Sequence, residues 1–120
     1  PFTPINTLTE TQADEKWFNR LNEIIQENIS NTEFSVDQLT RSVNMSRTLL
    51  YAKVKAVTGL TPNEFIRLVR LRKAAEYLAG NEYKINEICY MVGFNSPSYF
   101  AKCFQNQFGV LPKDFINNTN

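Results

Sequence analysis

The chain has no histidine, two cysteines and four glycines in its 120 residues. Each shortage removes an explanation. Without histidine the commonest general base and metal ligand are missing, and no carboxylates cluster in a cleft-like pattern to replace them. Catalysis is therefore a remote reading. Cys89 and Cys103 do not stand at a metal-ligand spacing. Cys89 shares the apolar side of a short helix with Ile85, Ile88 and Val92, where it reads as a small buried hydrophobe. A disulfide is not expected, which fits a reducing compartment. No apolar run is long enough to span a bilayer. The start, Pro1-Phe2-Thr3-Pro4, lacks an initiator methionine and a signal-peptide pattern, which suggests a fragment of a longer protein.

Charge of one sign is also scarce overall, since the net charge is +1. Its distribution is uneven. Residues 1–40 carry −5, residues 41–73 carry +7 and residues 74–120 carry −1. The middle block holds eight basic residues and one acid, Glu64. Such a patch matters more for a polyanionic partner than the total does, although Lys/Arg-rich helix faces are also common as solvated surface. The hydrophobic share, 42% with fifteen aromatics, suffices for one ordinary domain or two very small ones.

A segment occurs twice. Val36, Leu39 and Val43 recur as Ile85, Ile88 and Val92 at an offset of 49. Leu50, Val54, Gly59, Pro62 and Phe65 recur as Phe100, Phe104, Gly109, Pro112 and Phe115 at an offset of 50. One residue is thus inserted between Val92 and Phe100. Ser46 and Ser96 follow the later offset. An internal repeat fixes architecture before anything else, and here the unit is a helix pair.

Each copy reads as helix-turn-helix. Val36, Leu39 and Val43 have helical spacing, and Ser35-Val36-Asp37-Gln38 is a capping box. Asn44 and Gly93 fall where the chain must turn sharply, and both residue types accept positive φ. Ser46 and Ser96 are good N-caps, Pro97 suits a first helical position, and Gly59 and Gly109 are C-terminal stops. A serine-capped second helix after a tight turn is the geometry of DNA reading. Taken alone, a capped helix pair is more often plain packing. Duplication favours two equivalent surfaces meeting two equivalent targets, such as major grooves about 34 Å apart.

The spacing predicts an all-α fold of about seven helices: two helix-turn-helix subdomains joined by a long linker helix. Residues 1–13 read as a linker or tail. The first subdomain spans 14–61 and opens with a helix from Ala13 or Asp14 to about Ile29. The linker helix spans 62–80, started by Thr61, Pro62 and Glu64 and stopped at Gly80-Asn81. The second subdomain spans 81–117, and 118–120 form a frayed end. At about 100° per residue, Leu50, Val54 and Val57 face inward on the first reading helix, while Thr48, Ala52 and Lys55 face outward with Tyr51 on the flank. Arg47 sits in the first turn. Arg can bond guanine bidentately, Thr serves several bases, and Ala can touch a thymine methyl. By the same angles Phe100, Phe104 and Phe108 face inward, and Ser98, Ala101, Lys102 and Gln105 outward. On the linker helix, Arg67, Arg70, Arg72 and Lys73 could clamp phosphates, while Arg70 and Arg72 could equally pair with acids of neighbouring helices.

The run from Ile88 to Phe100 (ICYMVGFNSPSYF), with Phe104, Phe108-Gly109 and Pro112, resembles the signature of the AraC/XylS family of transcription regulators. The first copy is similar at Leu39, Asn44-Met45-Ser46-Arg47, Leu50-Tyr51, Lys55, Thr58-Gly59, Pro62, Arg70-Leu71 and Ala74. The resemblance covers about residues 14 to 116. It implies two DNA-reading subdomains in adjacent major grooves, with no cofactor and no metal. The implied recognition positions include Thr48, Tyr51, Ala52, Ser98, Ala101 and Lys102. The candidate contact set is therefore Ser46, Arg47, Thr48, Tyr51, Ala52, Lys55, Ser96, Ser98, Tyr99, Ala101 and Lys102. Three positions depart from the family pattern: Cys89 replaces a small alanine, Gln105 a lysine, and Phe115-Ile116 a Tyr-Arg pair. The match is nearest to C-terminal output domains of hybrid two-component regulators from gut anaerobes, which typically govern glycan-use genes. That implies a cytoplasmic domain, and leaves room for contacts with RNA polymerase, for a receiver or sensor domain in the same chain, for a dimeric full-length protein and for its anchoring in the inner membrane. The competing reading is a protein-interaction module that docks its acidic first helix on polymerase or a receiver domain.

Overall fold

A computed structural model describes the backbone of residues 5–119 and the side chains of residues 12–116. Seven helices follow one another: α1 Ile5–Glu27, α2 Val36–Val43, α3 Arg47–Thr58, α4 Pro62–Gly80, α5 Ile85–Met91, α6 Pro97–Phe108 and α7 Pro112–Thr119. No strand occurs among the described residues.

The repeated start and stop signals act as their chemistry requires. Ser46 accepts a hydrogen bond from the Leu49 N–H at 3.1 Å, and Ser96 one from the Tyr99 N–H at 3.3 Å. Thr61 and Glu64 form a reciprocal capping box, with the Thr61 N–H donating to the Glu64 carboxylate at 2.9 Å and the Glu64 N–H to the Thr61 hydroxyl at 3.2 Å. That backbone bond, reinforced by the Thr61 side chain and by weaker attraction from Lys55 and Arg67, holds the Glu64 carboxyl below its usual range. At the turn positions Asn44 has φ 54° and Gly93 φ 91°. Gly59 and Gly109 take left-handed conformations that end α3 and α6.

Two boundaries differ from expectation. The tail expected over residues 1–13 is already helical from Ile5. Adding a residue to an existing helix costs little compared with nucleating one, and no glycine or proline between Ile5 and Glu27 interrupts propagation. At the other end α7 continues through Thr119 rather than fraying at 118, while Asn120 lies outside the described residues.

The helices enclose two apolar cores with α4 shared between them. Leu21, Ile25, Leu39, Leu50 and Val54 fill the first, with Phe65, Ile66 and Val69 contributed by α4. Ile88, Val92, Phe100 and Phe104 fill the second, with Leu71, Ala74 and Leu78 from the same helix. The handover from one core to the other falls at Arg70, between Val69 and Leu71. Burying each such large side chain contributes about 1.5–3 kcal/mol, so a 19-residue helix that serves both cores ties the two subdomains together. The second core is the more aromatic. Phe100 and Phe104 lie 5.9 Å apart, with Phe115 of α7 5.4 Å from Phe104, and such pairs add about 0.5–1.5 kcal/mol beyond area alone.

Val57 departs from the inward stripe: it is 40% exposed. Periodicity fixes the angle of a side chain but not whether a neighbour covers it, and at the last turn of α3 an open groove with Asp14, Phe18 and Asn19 of α1 leaves it uncovered. Cys89 and Cys103 are both buried and free. Burial raises the Cys89 pKa, so the thiol stays protonated and donates weakly to the Phe94 carbonyl at 3.8 Å.

Candidate nucleic-acid interface

Each reading helix starts at a hydroxyl cap after a turn with one left-handed residue. On α3, Arg47, Thr48, Tyr51, Ala52 and Lys55 are all exposed. Arg47, Thr48, Tyr51 and Ala52 also line one shallow, largely apolar depression. A cation, a hydroxyl, a phenol and a methyl thus converge on one surface, which is the mixture that base edges and phosphates can use. On α6, Ser98, Tyr99 and Lys102 are exposed, while Ala101 is half-buried. Tyr99 lies against Phe94 with ring centroids 6.1 Å apart, yet remains 50% exposed. The Ser46 and Ser96 hydroxyls are occupied as caps, and that of Ser96 also meets the Ser98 hydroxyl at 3.2 Å.

The structure sorts the cations of the middle block. Arg47 forms an ion pair with Asp37 of α2 at 2.6 Å, so its guanidinium must exchange that partner or share it to reach a base. Both side chains are well exposed, and such a pair is worth about 0–1 kcal/mol. Lys53 lies over the Trp17 ring at 4.7 Å and near Asp14 at 3.9 Å, which turns it toward α1. Lys73 pairs with Glu76 at 3.2 Å. Lys55, Arg67 and Arg72 form no ion pair among the described residues.

Arg70 corrects both sequence readings, the phosphate clamp and the acid partner. It is only 7% exposed and pairs with no acid among the described residues. Its guanidinium donates to the carbonyls of Ile29 and Val92, each at 2.8 Å, and of Asn31 at 3.2 Å. Burial lowers its pKa, but a guanidinium remains charged at any pH of interest. Arg70 therefore fastens the loop after α1 to the last residue before the second turn, and so joins the two helix-turn-helix units. Leu49 is 55% exposed on α3, at the position that the 50-residue offset pairs with Tyr99.

These features define a double helix-turn-helix domain in which the second helix of each pair keeps an exposed face and one 19-residue helix joins the pairs. The helix-turn-helix domain family matches residues 39–118. The chain belongs to the AraC-type helix-turn-helix family of DNA-binding transcriptional regulators. It is 41% identical over 110 residues to histidine kinase P4 of Formosa agariphila, covering 92% of this chain and 8% of that protein. It is 34% identical over 98 residues to the HTH-type transcriptional regulator MtrA of Neisseria gonorrhoeae, covering 80% of this chain and 33% of that one. The chain thus spans a minor part of the curated relatives it matches. Among solved structures it is similar to the C-terminal domain of AraT, a response regulator from Geobacillus stearothermophilus, with a TM-score of 0.76, 27% identity and 83% of each chain covered.

Proposed function

We propose that this domain is the sequence-specific DNA-binding output of a bacterial transcription regulator, with α3 and α6 entering successive major grooves. The observation that carries this reading is the uncovered outward face of both capped helices, held on one linker helix. Selection of bound sites from random duplex DNA tests it and yields the motif and the half-site spacing together. Failure to enrich any sequence over random duplex would overturn it. The kinship with a response-regulator domain and with a histidine kinase supports a place in two-component signalling. In that setting a receiver or sensor domain in the same chain, RNA polymerase and a second copy of the full-length protein are the partners to test. A DNA target places this domain in the cytoplasm, and among the described residues no helix is long and apolar enough to cross a membrane.

Two substitutions probe the α3 face. Arg47→Ala is expected to cost about 1–3 kcal/mol of specific binding and to relax preference at one base pair, read by fluorescence anisotropy on the selected site. Equal affinity of variant and parent would remove Arg47 as a reader. Lys55→Gln is expected to lower the slope of log affinity against log salt by about one, on cognate and random duplex alike. An unchanged slope would take Lys55 off the phosphate contacts.

A further inference from the structure

Two grooves meet at Arg67. One runs between α4 and α6 and is lined by Arg67, Tyr99, Lys102, Asn106 and Gln107 together with Leu71 and Cys103. The other lies between α4, the loop before α2 and the turn before α6, where Arg67 and Tyr99 appear again beside Asn63 and Asn95. Neither groove is lined by a carboxylate. The two grooves that α1 helps to form differ, since one carries Glu76 and the other Asp14 and Glu15.

Arg67 is half-buried, and among the described residues it forms no ion pair. The acid that feels it, Glu64, is already bonded to the Thr61 N–H at 2.9 Å. Arg67 of α4 and Lys102 of α6 thus line one groove that holds two cations and no carboxylate. An anion seated there would find two positive partners and no competing acid. Between two successive major grooves a duplex presents its minor groove flanked by sugar–phosphate backbone, a dense line of negative charge. Arg67 stands on the helix that connects the two reading units and shares its groove with Tyr99 and Lys102 of the second one.

We propose that this bay seats a phosphodiester of the DNA between the two half-sites, with Arg67 and Lys102 as its cations and the Tyr99 hydroxyl as a neutral donor. The contact rests on the DNA-binding reading above. It carries no base information itself. It sets the register of the two reading helices on the duplex.

The test compares the parent chain with Arg67→Gln, Arg67→Lys and Arg72→Gln. Arg72 is exposed on the same helix but lines the groove that contains Glu76. Arg67→Gln is expected to lower the salt slope by about one on any duplex, while Arg67→Lys and Arg72→Gln keep the parental slope. A series of duplexes, each with one neutral methylphosphonate between the half-sites, localises the contact. One position should weaken the parent clearly more than it weakens Arg67→Gln, which keeps only Lys102 as a cation there. Circular dichroism melts establish that the variants are folded. A parental slope for Arg67→Gln, or equal sensitivity of both proteins to every methylphosphonate, overturns the bay and leaves the DNA reading standing. A parent chain that binds no duplex at all overturns both.

Discussion

Gly93→Ala is expected to cost about 4–7 kcal/mol, from strain plus a displaced buried charge, a large share of the stability of a domain this size. A methyl at this glycine would stand 1.3 Å from the Arg70 Nη1 and 2.5 Å from the Ile29 carbonyl oxygen. The first clash could be relieved by moving the Arg70 side chain. That would surrender its bonds to the Ile29, Asn31 and Val92 carbonyls and leave a buried charge without partners, which costs about 3–5 kcal/mol. The second clash is with backbone and has no such relief. The φ of 91° adds strain for any side chain, about 1–2 kcal/mol. A whole domain is stable by only about 5–15 kcal/mol. Gly109→Ala separates the two causes, because Gly109 has a similar φ, 81°, and nothing within 4 Å of the added methyl. It should lose only the strain. Urea unfolding followed by circular dichroism measures both variants, and equal losses would remove the steric argument.

What the sequence made legible follows from where the information resides. A cap, a left-handed turn or a helix stop is solved by a particular residue type within a few positions, so Ser46, Asn44, Gly93, Gly59 and Gly109 announced their roles. Helical angle is equally local, and Thr48, Ala52, Lys55 and Lys102 stand on uncovered surface. The repeat supplied the long-range order, since the second copy had to pack as the first does. Arg70 could not be found this way. Its partners are main-chain carbonyls from 22 to 41 residues away, and a carbonyl has no side-chain identity to read. The Arg47–Asp37 pair escaped for a related reason: in the sequence Asp37 figures only within the capping-box stretch of α2, which says nothing of its reach across the turn. Exposure of Val57 and half-burial of Ala101 depend on what lies above them, which periodicity does not describe.

The same guanidinium decides how two reading units act as one. Arg70→Met keeps the length and most of the packing of the side chain but deletes every donor. The Ile29, Asn31 and Val92 carbonyls then lose their shared partner, and each buried acceptor left unmatched costs about 1–3 kcal/mol. With relaxation of the exposed loop after α1, a total loss of about 3 kcal/mol is expected in denaturant unfolding. Arg70→Lys should recover little of it, because one ammonium cannot span carbonyls on both sides as a planar guanidinium does. The consequence for function reaches further than stability. The continuous helix α4 still links the units, but the tie between the loop that enters α2 and the turn that leaves α5 is gone. Their relative angle is then held by apolar packing alone, which resists sliding less than directed hydrogen bonds do. A rigid pair of readers demands one spacing between half-sites, whereas a loosened pair accepts neighbouring spacings at a smaller penalty. Selection from DNA libraries with the half-sites moved by single base pairs should therefore give a broader spacing preference for Arg70→Met than for the parent. An equally sharp preference in both would show that α4 alone sets the geometry and that Arg70 serves only the stability of the fold.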